Sequence, residues 1–182
     1  MSNNELWKLF PIILSEHKAC WKEFYSTEKS NLENIIGKDN IERINHIGST
    51  AVPGLLAKPT IDILLEINAN MDIAMLINGM EKEGYIFSAQ PDKPAPNLMF
   101  MKGYTVQGFS EKVFHIHVRY KGDWDEIYFR DYLIAHPEEV KEYARLKKDL
   151  KELYEHDRDA YTNAKTDFVK AITEKGRKDK AL

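Results

Sequence analysis

The segment TIDILLEI, residues 60–67, constrains this chain more than any other. Its strict alternation sends Ile61, Ile63, Leu65 and Ile67 to one face of a strand and Asp62, Leu64 and Glu66 to the other. A strand with a wholly apolar face needs a second layer to cover it. The preceding segment can supply one: Trp21, Phe24, Tyr25, Leu32, Ile35 and Ile36 recur at helical spacing, with Ser15 the expected N-cap and Gly37 the expected stop. Ile41 to Ile47 reads as a short strand, and Gly48 to Pro59 as a loop of small residues punctuated by Pro53, Gly54 and Pro59.

After the central strand, Asn70 is positioned to cap a helix carrying Ile73, Leu76, Ile77 and Met80, closed by Gly84. Tyr85 to Phe87 begins a strand. Leu98 to Lys102 and Val113 to Tyr120 read as antiparallel strands joined through Gly103 and Gly108. The remainder is helical. Asp123 caps a helix to about Ala135, Pro137 fits the first turn of the next, and Asp157 caps a last helix with Tyr161, Ala164, Phe168 and Ile172 in a stripe. This order predicts an α+β fold, a mixed sheet with helices packed on one side and a helical C-terminal part. Residues 1–182 read as one domain, with about 38–122 holding the sheet and about 123–182 the helices.

Composition narrows the function classes. Lys and Arg total 26 against 29 Asp and Glu, a net charge of −3, without the basic excess of a nucleic-acid binder. Basic and acidic residues are evenly mixed along the C-terminal helices, as on a solvated surface. The single Cys20 excludes an internal disulfide and a cysteine-based structural zinc site. The longest apolar runs are about five residues where a membrane span needs about 20. The opening MSNNELWKLF has no signal-peptide pattern. A cytoplasmic protein with no membrane partner is the expectation.

Chemistry concentrates around two segments. Gly48 and Ser49 end one strand, where a glycine lets backbone approach a phosphate and a hydroxyl donates to it. Asp62, inside the next strand, offers a hard oxygen to a metal. His115 and His117 are two apart on a strand and so share a face; with Asp62 they would form a set suited to zinc, manganese or iron. One of them could instead serve as a general acid or base. Lys165 lies beside the last apolar stripe, where an anion would compensate its burial. Arg130 could clamp an anion bidentately, and Lys58 precedes the Asp62 strand closely enough to join the site. Each of these residues also has a plainer reading, as turn glycine, outward-facing strand polar group, snorkelling lysine or surface ion pair.

The blocks HIGSTAVPGL (46–55), KPTIDI (58–63), HIHV (115–118), FRDYL (129–133) with His136-Pro137, and DAYTNAK (159–165) resemble, in order, the signature of the GrpB family, bacterial proteins assigned by fold to the nucleotidyltransferase superfamily. The resemblance implies a nucleotidyltransferase-like mixed sheet, a divalent metal (magnesium, manganese or zinc), a nucleotide or phosphorylated small-molecule substrate, and nucleotidyl or phosphoryl transfer. Gly48, Ser49 and Asp62 match the superfamily's pattern; joined to the residue readings above, Asp62 and His117 would carry catalysis, Asp62, His115 and His117 would hold metal, and Gly48, Ser49, Lys58, Arg130 and Lys165 would bind substrate. The superfamily's second acidic position is Leu64 here, and Glu66 lies roughly 13 Å along the strand from Asp62. That departure leaves a non-catalytic nucleotide- or coenzyme-binding module as the alternative.

Overall fold

The computed structural model describes residues 8–181. Five strands, β1 (Ile41–Ile47), β2 (Thr60–Ile67), β3 (Ile86–Ala89), β4 (Leu98–Thr105) and β5 (Gly108–Tyr120), form one sheet in the order β1-β2-β5-β4-β3. The β2–β5 pair is parallel and the other three pairs are antiparallel. Among the described residues, the sheet is accompanied by α1 (Cys20–Ile36), α2 (Ile73–Lys82), α3 (Asp125–Ala135), α4 (Pro137–Tyr154), α5 (Arg158–Ala164) and α6 (Thr166–Ala181). This is the expected α+β class, with a mixed sheet and a helical C-terminal part.

The apolar face of β2 is covered as its alternation requires. Trp21, Leu32 and Ile36 of α1 and Leu76 and Met80 of α2 join Ile61, Ile63, Leu65 and Ile67 in one buried cluster. A second cluster joins Val52 and Leu55 of the β1–β2 connection to Phe129, Leu133, Tyr143 and Ile172 of the C-terminal helices. Those helices therefore hang from that connection and face the other side of the sheet across a cleft. Asp62 is the one residue of β2 that is not buried.

Several expected caps lie elsewhere. Ser15 does not cap α1, which starts at Cys20 after Ala19; its backbone pairs with Ala57 instead (2.8 and 3.0 Å), bracing the β1–β2 connection. Asp72 rather than Asn70 caps α2, accepting from the Met75 N–H at 3.1 Å. Trp124 precedes α3, and Asp123 pairs with Arg177 at 2.6 Å. Asp157 does cap α5, accepting from the Ala160 N–H, but the expected last helix is two helices. They part at Lys165, whose N–H reaches back three residues to Thr162 O.

Glu66 closes the far end of β2. Fully buried, it accepts from Arg43 Nε and Nη2 (2.7 and 2.6 Å), Gly122 N (3.0 Å) and Trp124 Nε1 (3.1 Å). The buried carboxylate thereby has its lone pairs met by strand, turn and helix start. Among the described residues, no helix is long and apolar enough to cross a membrane.

Candidate functional site

The parallel register builds the centre of the cleft. Asp62 lies beside His115, and Leu64 beside His117, so the three polar side chains share the face opposite the apolar cluster. Asp62 Oδ1 is 3.0 Å from His117 Nε2 and 3.5 Å from His115 Nδ1. The Tyr104 hydroxyl meets His115 Nε2 at 2.6 Å and its ring stacks on the imidazole, which fixes that ring's orientation. Burial pushes the Asp62 carboxyl up, but hydrogen bonds from both histidines more than offset this and hold it well below the usual carboxylate range.

Gly48 brings backbone against this carboxylate. Its φ of 71° and ψ of −171° suit glycine, and a Cβ there would stand 2.9 Å from Asp62 Oδ2. The adjoining turn is braced by His46, whose Nε2 lies 2.9 Å from Thr50 Oγ1, while the threonine hydroxyl donates to Thr60 O at 3.0 Å. The imidazole must therefore donate from Nε2. Burial pushes His46 down to about 4, which keeps it neutral in that role.

The facing wall is lined by basic side chains. Lys58, Lys147, Arg158 and Lys165 line the same cavity of about 830 Å³ as Gly48, Ser49, Asp62, His115 and His117. Of the expected site residues only Arg130 lies apart: its guanidinium bonds Asp131 Oδ1 (2.8 Å) and His46 O (3.0 Å), a structural tie between α3 and β1. Lys147, Arg158 and Tyr104 are the residues that sequence reasoning missed. For Lys147 the signal was present: it occupies the buried α4 stripe with Val140, Tyr143 and Leu150, the same anomaly that marked Lys165.

Burial lowers Lys165 to about 7, with the Lys58 charge adding to the effect and Asp62 opposing it. Lys58 falls to about 8, again from burial first and then from Arg158. Both folded values lie below the ordinary lysine value. From about pH 7 to about 10 the unfolded chain therefore binds more protons, and stability rises with pH across that window. Below about pH 7 the penalty of burying the charges is fully present. Lys165→Met is accordingly expected to unfold at a higher temperature than the parent near pH 6. The gap should narrow steadily above pH 7 and close only above about pH 10, and a difference independent of pH would refute the burial penalty.

The architecture and this cleft define a class: an α+β protein whose mixed sheet presents a carboxylate and two imidazoles to a lysine-lined wall. The family described as GrpB protein matches residues 11–175, and the chain belongs to the GrpB family. It is 38% identical over 164 residues to the glutamate-rich protein GrpB of Alkalihalophilus pseudofirmus, covering 88% of this chain and 93% of that one. It is 32% identical over 170 residues to the UPF0157 protein YqkA of Bacillus subtilis, covering 92% of this chain but only 47% of the longer relative. The crystal structure of the conserved protein GrpB from Enterococcus faecalis superposes with a TM-score of 0.81 at 28% identity, covering 93% of this chain and all of that one.

Proposed function

We propose that this chain is a metal-dependent enzyme of phosphoryl or nucleotidyl transfer, acting on a nucleotide or other small phosphorylated substrate. The observation that carries the reading is the meeting, in one cleft, of a carboxylate–imidazole set with lysines on the opposite wall. Asp62, His115 and His117 each offer a ligand atom, all within 4.8 Å of one another, which fits a single ion. Two nitrogens and one oxygen suit zinc or manganese better than magnesium. The Tyr104 contact on His115 is the kind of outer bond that orients a ligating imidazole. A metal held there would polarise a phosphoryl oxygen.

The chain's own groups supply positioning and charge, which is most of what phosphoryl transfer demands. Gly48 and Ser49 admit a phosphate against the turn, and Lys58, Lys165 and Arg158 neutralise its oxygens. Leu64 is fully buried where a second carboxylate would stand, and His117 beside it in register offers a replacement ligand from the next strand. Leu64 also favours the second reading, a module that binds such a ligand without turning it over.

Purified protein is expected to take up about one equivalent of a transition metal. The double variant His115→Gln, His117→Gln should take up none while its helical circular dichroism persists. Nucleoside triphosphates with metal should raise the unfolding temperature, corresponding to about 2.7 kcal/mol at a hundredfold excess over Kd. No ion bound, with nucleotide stabilisation untouched by the double change, overturns the ligand set. No stabilisation by any nucleotide or phosphate overturns the substrate class. Binding without any product formed leaves the module.

A further inference from the structure

We propose that Ser49 and Lys147 form a nucleophile–base pair, so that transfer in this cleft passes through a covalent intermediate on Ser49. The inference rests on the phosphoryl-transfer reading above and deepens it by naming the group that first accepts the phosphoryl unit. Lys147 Nζ lies 2.5 Å from Ser49 Oγ and 2.8 Å from Leu56 O, and its side chain is only 2% exposed. Both partners are neutral oxygens, and among the described residues no carboxylate pairs with this amine. A lysine buried without a counter-ion is held in its neutral form. Burial, reinforced by the charges of Lys165 and Lys58 and opposed by Asp62, drives Lys147 well below the ordinary lysine range. Tyr143 supplies the remaining neighbour, its ring centroid 4.3 Å from Nζ.

A neutral amine has two N–H donors and one lone pair. One N–H serves Leu56 O, and the lone pair is then free to accept the Ser49 O–H. This is the arrangement that makes a serine nucleophilic. Ser49 lines the cleft, next to the glycine that touches Asp62. The Tyr161 hydroxyl, buried and without a protein partner, lines the same space and awaits a ligand acceptor. In the first step Ser49 Oγ bonds to phosphorus, the bond from phosphorus to the leaving oxygen breaks, and that oxygen keeps the electron pair beside the basic wall. The serine proton passes to Lys147 Nζ. In the second step an acceptor hydroxyl attacks the same phosphorus and its proton passes to solvent, while Ser49 Oγ departs and recovers its own from Lys147.

Diisopropyl fluorophosphate tests the pair without needing metal or nucleotide, because it carries its own leaving group. Attack forms the Ser49 Oγ–P bond as P–F breaks and fluoride leaves. The parent should acquire one adduct, mapped to Ser49 by mass spectrometry, at a rate that rises with pH to a plateau. Ser49→Ala should acquire none there. Lys147→Arg keeps donors toward Ser49 and Leu56 but cannot accept a proton, so labelling should slow about 100-fold or more. Equal labelling of Lys147→Arg and parent, or no Ser49 adduct in the parent, overturns the pair and leaves Lys147 as a tie between α4 and the turn. Should Lys147→Arg misfold by circular dichroism, the parent's pH profile decides, and a flat one overturns the pair. Absent labelling in a protein that still binds nucleotide with metal refutes the nucleophile alone. Labelling with no nucleotide binding refutes the substrate class alone.

Discussion

Gly48→Val is expected to abolish ligand binding in the cleft while leaving a folded, weakened protein. The residue's φ of 71° and ψ of −171° fall in a region that only glycine enters freely, and holding another residue there costs about 1–3 kcal/mol. Space is short as well: the new Cβ would meet Asp62 Oδ2 at 2.9 Å and Asp62 Cβ at 3.2 Å. Turning the carboxylate to relieve that contact also moves Oδ1 away from His115 and His117, the proposed metal set. The loss of metal and nucleotide affinity should therefore exceed the loss of stability. Titration and thermal unfolding on one sample measure both. Undiminished metal binding would separate Gly48 from the site; a wholly unfolded variant would make it a turn glycine whose role is structural.

Glu66→Ala should produce the opposite division, a large loss of stability with the cleft chemistry preserved in whatever protein remains folded. The carboxylate accepts from Arg43, Gly122 and Trp124 and is fully buried, so its removal leaves Arg43 Nε and the Gly122 amide without their acceptor, while Arg43 Nη2 keeps Gly122 O and the indole keeps Tyr120 O. Leaving buried donors unsatisfied costs about 1–3 kcal/mol, and Arg43, 45% exposed, recovers part of its share from water. Urea unfolding should show a lower midpoint at unchanged slope. Metal uptake should survive, because Glu66 sits roughly 13 Å along β2 from Asp62. A loss under about 1 kcal/mol would place this network among ordinary surface ion pairs. Together the two variants separate the cleft end of β2, where Gly48 packs on Asp62, from the Glu66 end.

Strand β2 was legible because one of its faces is apolar throughout, although Leu64 interrupts the polar one. Residues 60–67 and 41–47 were read with their observed ends, since alternation and the flanking Gly48 and Pro59 leave little freedom. The helix starts were less legible. Ser15, Asn70 and Asp123 are good capping types, but tertiary pairing gave Ser15 and Asp123 other partners and Asp72 was closer to α2. The site was half visible. Gly48, Ser49, Lys58, Asp62, His115, His117 and Lys165 do line one cavity, whereas Arg130 turns to Asp131 and His46 O. Nothing in local spacing says that β2 and β5 are adjacent and parallel, and without that pairing the approach of His117 to Asp62 cannot be read. Lys147 was missed because a lysine in a lysine-rich helix looks solvated until its neighbours in the stripe are counted.

The parallel β2–β5 pair also sets when the cleft can exist during synthesis. Asp62 emerges early, but the strand carrying His115 and His117 must be made, and must cross over, before it can lie beside β2. The lysine wall is made later still, ending with Lys165. At a ribosomal pace of about 5–20 residues per second the β1–β2 hairpin can form seconds before any complete binding site does. The cleft is therefore complete only once the chain through Lys165 has been made. A molecule reaching from Asp62 to Lys165 would clasp an early strand to the last helices, so its presence should appear first as resistance of α5 and α6 to proteolysis.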